Sequence, residues 1–288
     1  MYLPIIAGLF AALFWGLSDY LITKPTRALG QYRTTAYAML FSTLVLLPFL
    51  LYTGINFHIS PFVLLLAILS SIGAFVGFFF AYRAYRIGDL SITAPIVGSY
   101  PAITVLGSVL ILGDKLTLVE IISIIAILIG IILISTKLSA FRAKRKLVVI
   151  GVGSALIAML FLGTPGIFAG AYTVIIGFVL LSLMWRSITS AGGFITGYFA
   201  KQDMRLPGRR YLSPIIGAGA ADAFAVLAFL YGVKVKSSTL PIISALSGFA
   251  GAVTVICAFI LLKERPEKNQ WFGIALAIVG VVALAYFS

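Results

Sequence analysis

Apolar runs of about twenty residues recur along the whole chain, each closed by a short polar break. That length constrains the fold more than any other feature, because a hydrocarbon core about 30 Å thick needs about 20 residues at 1.5 Å rise. Helix is the element that fits. An open strand would leave backbone groups unsatisfied in lipid, and barrel strands would be half as long with strict alternation. Breaks placed where charges, Pro or Gly cluster give ten spans, approximately over 3–23, 33–53, 61–82, 90–112, 117–136, 147–170, 175–200, 211–231, 237–262 and 270–287. The least defined boundary lies between the sixth and seventh, where Leu147 to Ala200 is nearly uninterrupted apolar sequence broken by Gly163, Pro165, Gly166 and Gly170. One helix there would be about 80 Å long, so two are required.

Composition agrees with this reading: 61% of the 288 residues are hydrophobic and 10% charged, far from the roughly 25% charged of soluble domains. The expectation is an all-α integral membrane protein with no sizeable soluble domain for aqueous chemistry. The opening MYLPIIAGLFAALFWGL has no basic n-region and no small-residue cleavage site, so it reads as a first transmembrane helix.

The formal charge of +13 does not point to nucleic acid, because Lys and Arg sit in the short breaks, where loop charge sets membrane orientation. One alternate set of connections holds Lys24, Arg27, Arg33, Arg83, Arg86, Lys137, Arg142, Lys144, Arg145, Lys146, Lys201, Arg205, Arg209, Arg210, Lys263, Arg265 and Lys268. The other set has Lys115, Lys234 and Lys236. The positive-inside rule puts the first set in the cytoplasm and, with an even helix count, both termini outside.

A single cysteine, Cys257, and a single histidine, His58, leave no disulfide framework and no His-rich metal site. Eight carboxylates (Asp19, Asp89, Asp114, Glu120, Asp203, Asp222, Glu264, Glu267) are dispersed, mostly where helices should end, whereas a metal-dependent hydrolase would cluster them. No GxxxxGK[ST] stretch occurs, so ATP-driven transport by the chain itself is not expected. No metal and no cofactor are expected.

The chain repeats itself. At an offset of 150, Gly113-Asp114 faces Lys263-Glu264, Ser123 faces Gly273, and Gly130 faces Gly280. SITAPIVGS (Ser91 to Ser99) resembles SSTLPIISA (Ser237 to Ala245), with Pro95 opposite Pro241 at an offset of 146. Near the start of each half Trp15-Gly16 faces Leu162-Gly163, and Gly30 faces Gly177, both at 147. Five spans fall in each half. An odd number makes the second copy cross in the opposite sense, an inverted repeat of the kind found in secondary transporters, with substrate near the midplane between repeats.

The phrase FWG (Phe14 to Gly16) followed by Lys24, the pattern around Pro95 and Pro101, the acids Asp114 and Glu264, and the trailing glycines resemble the drug/metabolite transporter superfamily, EamA-like branch. The resemblance covers essentially the whole chain, with one five-helix repeat over 1–140 and another over 147–288. It implies ten transmembrane helices as two inverted five-helix repeats around a central cavity, a carrier moving small organic solutes such as amino acids or sugars, often as export. Two positions depart from the family pattern. Leu162-Gly163 replaces the second Trp-Gly pair, and Asp114 stands where Glu is usual. Family members are commonly drawn with both termini in the cytoplasm, opposite to the charge tally.

Ionisable groups inside a span are expensive, so each marks a functional hypothesis and needs a partner. Arg186 lies inside the seventh span, Asp222 near the middle of the eighth, and Asp19 about a turn from the end of the first. Arg186 also falls where the family pattern has an arginine in the second helix of a repeat. Two readings stand side by side: a structural Arg186–Asp222 pair between adjacent helices, or cavity groups that bind a charged substrate moiety or exchange a proton. Asp19 is either interfacial or in the cavity. Trp15, Tyr82, Tyr85, Tyr100 and Tyr231 combine an aromatic body with a polar handle suited to a solute site. Tyr85 and Tyr231, near helix ends, read more simply as interfacial anchors. Pro95 and Pro241 are candidate hinges, and Ser99, Ser244 and Ser247 could hydrogen-bond a solute or another helix. Gly130 and Gly280 read as packing positions.

The expected function is secondary transport of a small organic metabolite by alternating access, not catalysis. The alternative is a membrane-embedded enzyme acting on a lipid-linked substrate, which should group its acids at one membrane face. The expected partners are a small-molecule substrate, the lipid bilayer and a coupling proton, with no nucleic acid and a monomeric chain.

Overall fold

The computed structural model describes residues 2–54, 59–88, 93, 96–135, 151–254, 257 and 267–287. Pro95, His58, Asp89, Glu264 and the cations of 137–146 and 263–265 lie outside the described residues. Among those described there are ten α-helices and no strand: α1 (Tyr2–Leu29), α2 (Gln31–Thr53), α3 (Pro61–Ile87), α4 (Tyr100–Gly107), α5 (Leu118–Ser135), α6 (Val152–Ile176), α7 (Phe178–Phe199), α8 (Arg209–Val235), α9 (Leu240–Ser247) and α10 (Lys268–Phe287). Among the described residues seven apolar segments are long enough to cross a membrane, Ser237–Thr254 being one of them, and shorter apolar helices run over Ile96–Leu112, Leu118–Ile134 and Lys268–Ala283. The chain is a multi-pass membrane protein. Large apolar side chains such as Leu65, Leu110, Ile122 and Phe272 lie exposed on the bundle surface, where lipid takes the place of water.

Two helix boundaries differ from the sequence reading. α6 runs straight through Gly163, Pro165 and Gly170, and the break comes at Gly177, whose φ of +91° suits glycine. Pro165 has no N–H for the carbonyl of Phe161, and the Thr164 hydroxyl donates to that carbonyl instead, at 3.3 Å. Gly30, the repeat mate of Gly177, makes the α1–α2 joint at φ +85°. The ninth span is broken at Gly248–Phe249, after α9, and resumes helix over 250–254. In the first half the turn at Ser99, before α4, stands at the equivalent place.

The packing is two-fold. α1 packs on α8 as α6 packs on α3; α2 meets α8 as α7 meets α3; α1 meets α9 as α6 meets α4; and α2 with α7, α4 with α9, α5 with α10 are self-paired. The α5–α10 seam shows the sense of the relation. A Cβ on Gly130 would press on Ala277 and the Gly273 carbonyl at 2.7–2.8 Å, and a Cβ on Gly280 would press on Ile127 and the Ser123 carbonyl at 2.8–2.9 Å. Each set becomes the other on a shift of 150 residues, and the contacts descend one helix as they ascend the other, so these two repeat mates run antiparallel. Only glycine allows that approach.

Basic residues gather at one end. Arg33 meets Asp203 at 3.0 Å, Arg86 donates to Gln31 at 2.9 Å, and the Tyr37 hydroxyl donates to the Met204 carbonyl. Gly54, Gly177 and Lys234 share a cleft at the opposite end.

Candidate functional site

Helices from both halves enclose a narrow cavity, its wall drawn from α1, α3, α4, α6, α7 and α8. Repeat-related bonds frame it. The Thr104 hydroxyl donates to the Gly163 carbonyl at 2.9 Å, and its mate Thr254 donates to the Gly16 carbonyl at 3.1 Å. The glycines are required: a Cβ on Gly16 would strike Val253 and the Ala250 carbonyl, and one on Gly163 would strike Ile103 and the Tyr100 carbonyl.

Arg186 of α7 and Asp222 of α8 form a bidentate ion pair, Nε to Oδ2 at 2.5 Å and Nη2 to Oδ1 at 2.9 Å. Both side chains are buried, with 2% and 1% exposed. Asp222 also accepts from Trp15 Nε1 on α1 at 3.0 Å and from Ser42 Oγ on α2 at 2.7 Å. Four donors thus occupy a carboxylate with about four lone-pair sites, and four helices meet at one side chain. The Phe78 ring lies 5.0 Å from the guanidinium carbon.

Asp19 follows Trp15 by four residues on α1, so the two share a face. Both line the cavity. Among the described residues no hydrogen bond or ion pair engages the Asp19 carboxylate, in contrast to that of Asp222.

Trp15, Asp19, Tyr82, Tyr100 and Arg186 are therefore brought together on the cavity wall, with Asp222 directly behind Arg186. Tyr100 packs edge-on to Trp15 and bonds Ser247 at 3.1 Å. Ser247 donates onward to the Ser244 carbonyl, so the Tyr100 hydroxyl is the donor of that pair. Ser244 is buried off the cavity, its hydroxyl without a partner among the described residues, and Ser99 occupies the N-cap position of α4 without joining the wall. Pro241 sits in the first turn of α9, where its missing N–H removes no helical bond. Tyr85, read as an anchor, is buried and lines the cavity. Tyr231 lies half-exposed against Phe178.

Sequence reasoning passed over Phe78, Trp185, Thr104 and Thr254, all on the wall, and Ser42 behind it. The two threonines carried a signal, standing at the same 150-residue offset as Asp114 and Glu264. Trp185, which donates to Ser70 at 3.1 Å, adjoins Arg186 in sequence. Phe78 had none. No group of three or more His, Cys, Asp or Glu suited to a metal occurs among the described residues. Outside the spans, Asp203 is held below the usual carboxylate range by the Arg205 backbone N–H and then by Arg33, while partial burial raises Asp114.

The sequence profile of the EamA-like transporter family matches residues 2–136 and again 149–286. The chain belongs to the EamA-like transporter family. It is thereby a membrane transporter of the drug/metabolite type, and its two matched segments give the two-fold packing its origin in a repeat. The chain is 35% identical over 133 residues to an uncharacterized protein of Methanocaldococcus jannaschii, spanning 46% of this chain and 95% of that one. That stretch is about as long as one matched segment. A solved crystal structure of a protein is similar in fold to this chain, with a TM-score of 0.77 at 15% identity, covering 98% of this chain and 96% of the other.

Proposed function

We propose that this transporter is a secondary carrier for a small organic solute, working by alternating access across ten transmembrane helices arranged as two inverted five-helix repeats, 1–140 and 147–288. The observation that carries the reading is the cavity framed by repeat-related contacts, Thr104 on Gly163 and Thr254 on Gly16. Two antiparallel copies of one packing unit can exchange roles, opening the same site to either side at similar energy. Trp15, Asp19, Tyr82, Tyr100 and Arg186 are the proposed substrate wall, and Asp222 positions Arg186 and Trp15. The breaks at Ser99 and Gly248–Phe249 are the proposed hinges, adjoining Pro95 and following Pro241. By the loop-charge rule the basic end faces the cytoplasm and both termini lie outside. Labelling of an Ala143→Cys variant by an impermeant reagent from outside intact cells would overturn that orientation.

Counterflow in proteoliposomes tests the carrier. Uptake of a labelled metabolite pool should saturate and should accelerate when the unlabelled pool is preloaded inside. Uptake that rises linearly with concentration and ignores the inner pool would mark a channel and overturn the reading.

A further inference from the structure

We infer that the cavity selects organic cations: a solute with an ammonium group on a compact apolar body, and Asp19 as its counter-ion. The inference rests on the carrier reading for its transport step and names the class of solute carried.

Asp19 and Arg186 are the charged side chains on the described wall. Arg186 is already neutralised, because two of its nitrogens bond both oxygens of Asp222, which Trp15 and Ser42 hold in place. One carboxylate remains without a partner among the described residues, so in its ionised form Asp19 gives the cavity a net negative charge. An uncharged solute would leave that carboxylate unpaired in apolar surroundings, and an anion would add a second negative charge beside it. A cation answers it. The walls reinforce the choice, since Trp15, Phe78, Tyr82, Tyr85, Tyr100 and Trp185 present aromatic surface, and ring faces attract ammonium groups. An amino-acid zwitterion would need a free positive group for its carboxylate, and Asp222 already engages Arg186.

The test is binding by the purified full-length chain in detergent, read from quenching of tryptophan fluorescence, as Trp15 and Trp185 both line the cavity. Four probes share a phenyl ring: phenethylamine, phenylalanine, 2-phenylethanol and 3-phenylpropionate. Phenethylamine should bind about tenfold tighter than each of the others. Asp19→Asn should abolish that preference, so that phenethylamine binds no tighter than 2-phenylethanol in the same variant, and Asp19→Glu should keep it. Tighter binding of phenylalanine or phenylpropionate, a preference that survives in Asp19→Asn, or no binding of any probe would overturn the inference. Transport is scored apart from binding. If counterflow of other solutes proceeds without cation preference, the selectivity fails and the carrier stands; if phenethylamine binds through Asp19 and no solute undergoes counterflow, the site stands and the carrier fails.

Discussion

Among the described residues two arginine–aspartate pairs join elements of the fold, and their surroundings make them different devices. Arg33 and Asp203 meet through one contact of 3.0 Å at the basic end, where the aspartate is 61% exposed although the arginine is only 11% exposed. Arg186 and Asp222 meet through two contacts in mid-bundle, both buried, with Trp15 and Ser42 on the same carboxylate. In the first case water reaches the Asp203 carboxylate if Arg33 is lost, so removing the arginine costs little. Nothing replaces a lost partner in the second, where an orphaned charge costs far more than the pair is worth. The buried pair therefore acts as a joint tying α7 and α8 to α1 and α2, and that role leaves Asp19 as the open carboxylate of the cavity.

The largest expected effect follows from orphaning Arg186. Asp222→Asn should destabilise the chain by about 3–5 kcal/mol, read as the midpoint of equilibrium unfolding in mixed micelles. A loss below about 1 kcal/mol would show that cavity water solvates the guanidinium, and would erase the contrast with Arg33–Asp203. Next comes the double variant Arg186→Gln with Asp222→Asn, which should recover more than half of that loss because no bare charge remains. A double variant no more stable than Asp222→Asn would place the damage in the lost hydrogen bonds. Smaller again, Trp15→Phe keeps a ring against Tyr100 and removes one donor to the carboxylate, and should cost about 1.5 kcal/mol by the same measurement. No change would mean that the other three donors suffice to hold Asp222.

Much of this was legible because lipid imposes a length on each helix and polar groups stand out against apolar runs. Trp15, Arg186 and Asp222 were found in that way, and the seam glycines Gly130 and Gly280 by their shared offset. Whether Arg186 and Asp222 were paired could not be read, since facing helices can rotate by a fraction of a turn and part the two side chains. The α6 boundary was misplaced because Pro165 breaks a helix only where its freed carbonyl goes unanswered, and Thr164 answers it. Phe78 and Trp185 were missed for a different reason. In a chain with 13% aromatic residues, neither type nor spacing distinguishes a ring facing the cavity from one facing lipid.

The smallest effect belongs to the pair at the basic end, and its sign is fixed by the depressed carboxyl of Asp203. A carboxylate whose folded pKa lies below its unfolded value adds stability that is complete above the unfolded value and disappears as pH falls through the folded one. Stability differences traced to Asp203 should therefore be flat near neutrality and shrink at acid pH. The largest cause of the depression is the Arg205 backbone N–H, at 3.0 Å from Oδ1, with Arg33 behind it. Arg33→Gln should thus leave most of the acid-side dependence in place and leave neutral-pH stability within scatter, whereas Asp203→Asn should remove the dependence. Thermal unfolding of both variants beside the parent, from neutral to strongly acid pH and at low and high salt, measures this directly. If Arg33→Gln abolished the dependence, or cost as much as Asp222→Asn, then burial would not be what separates the two pairs.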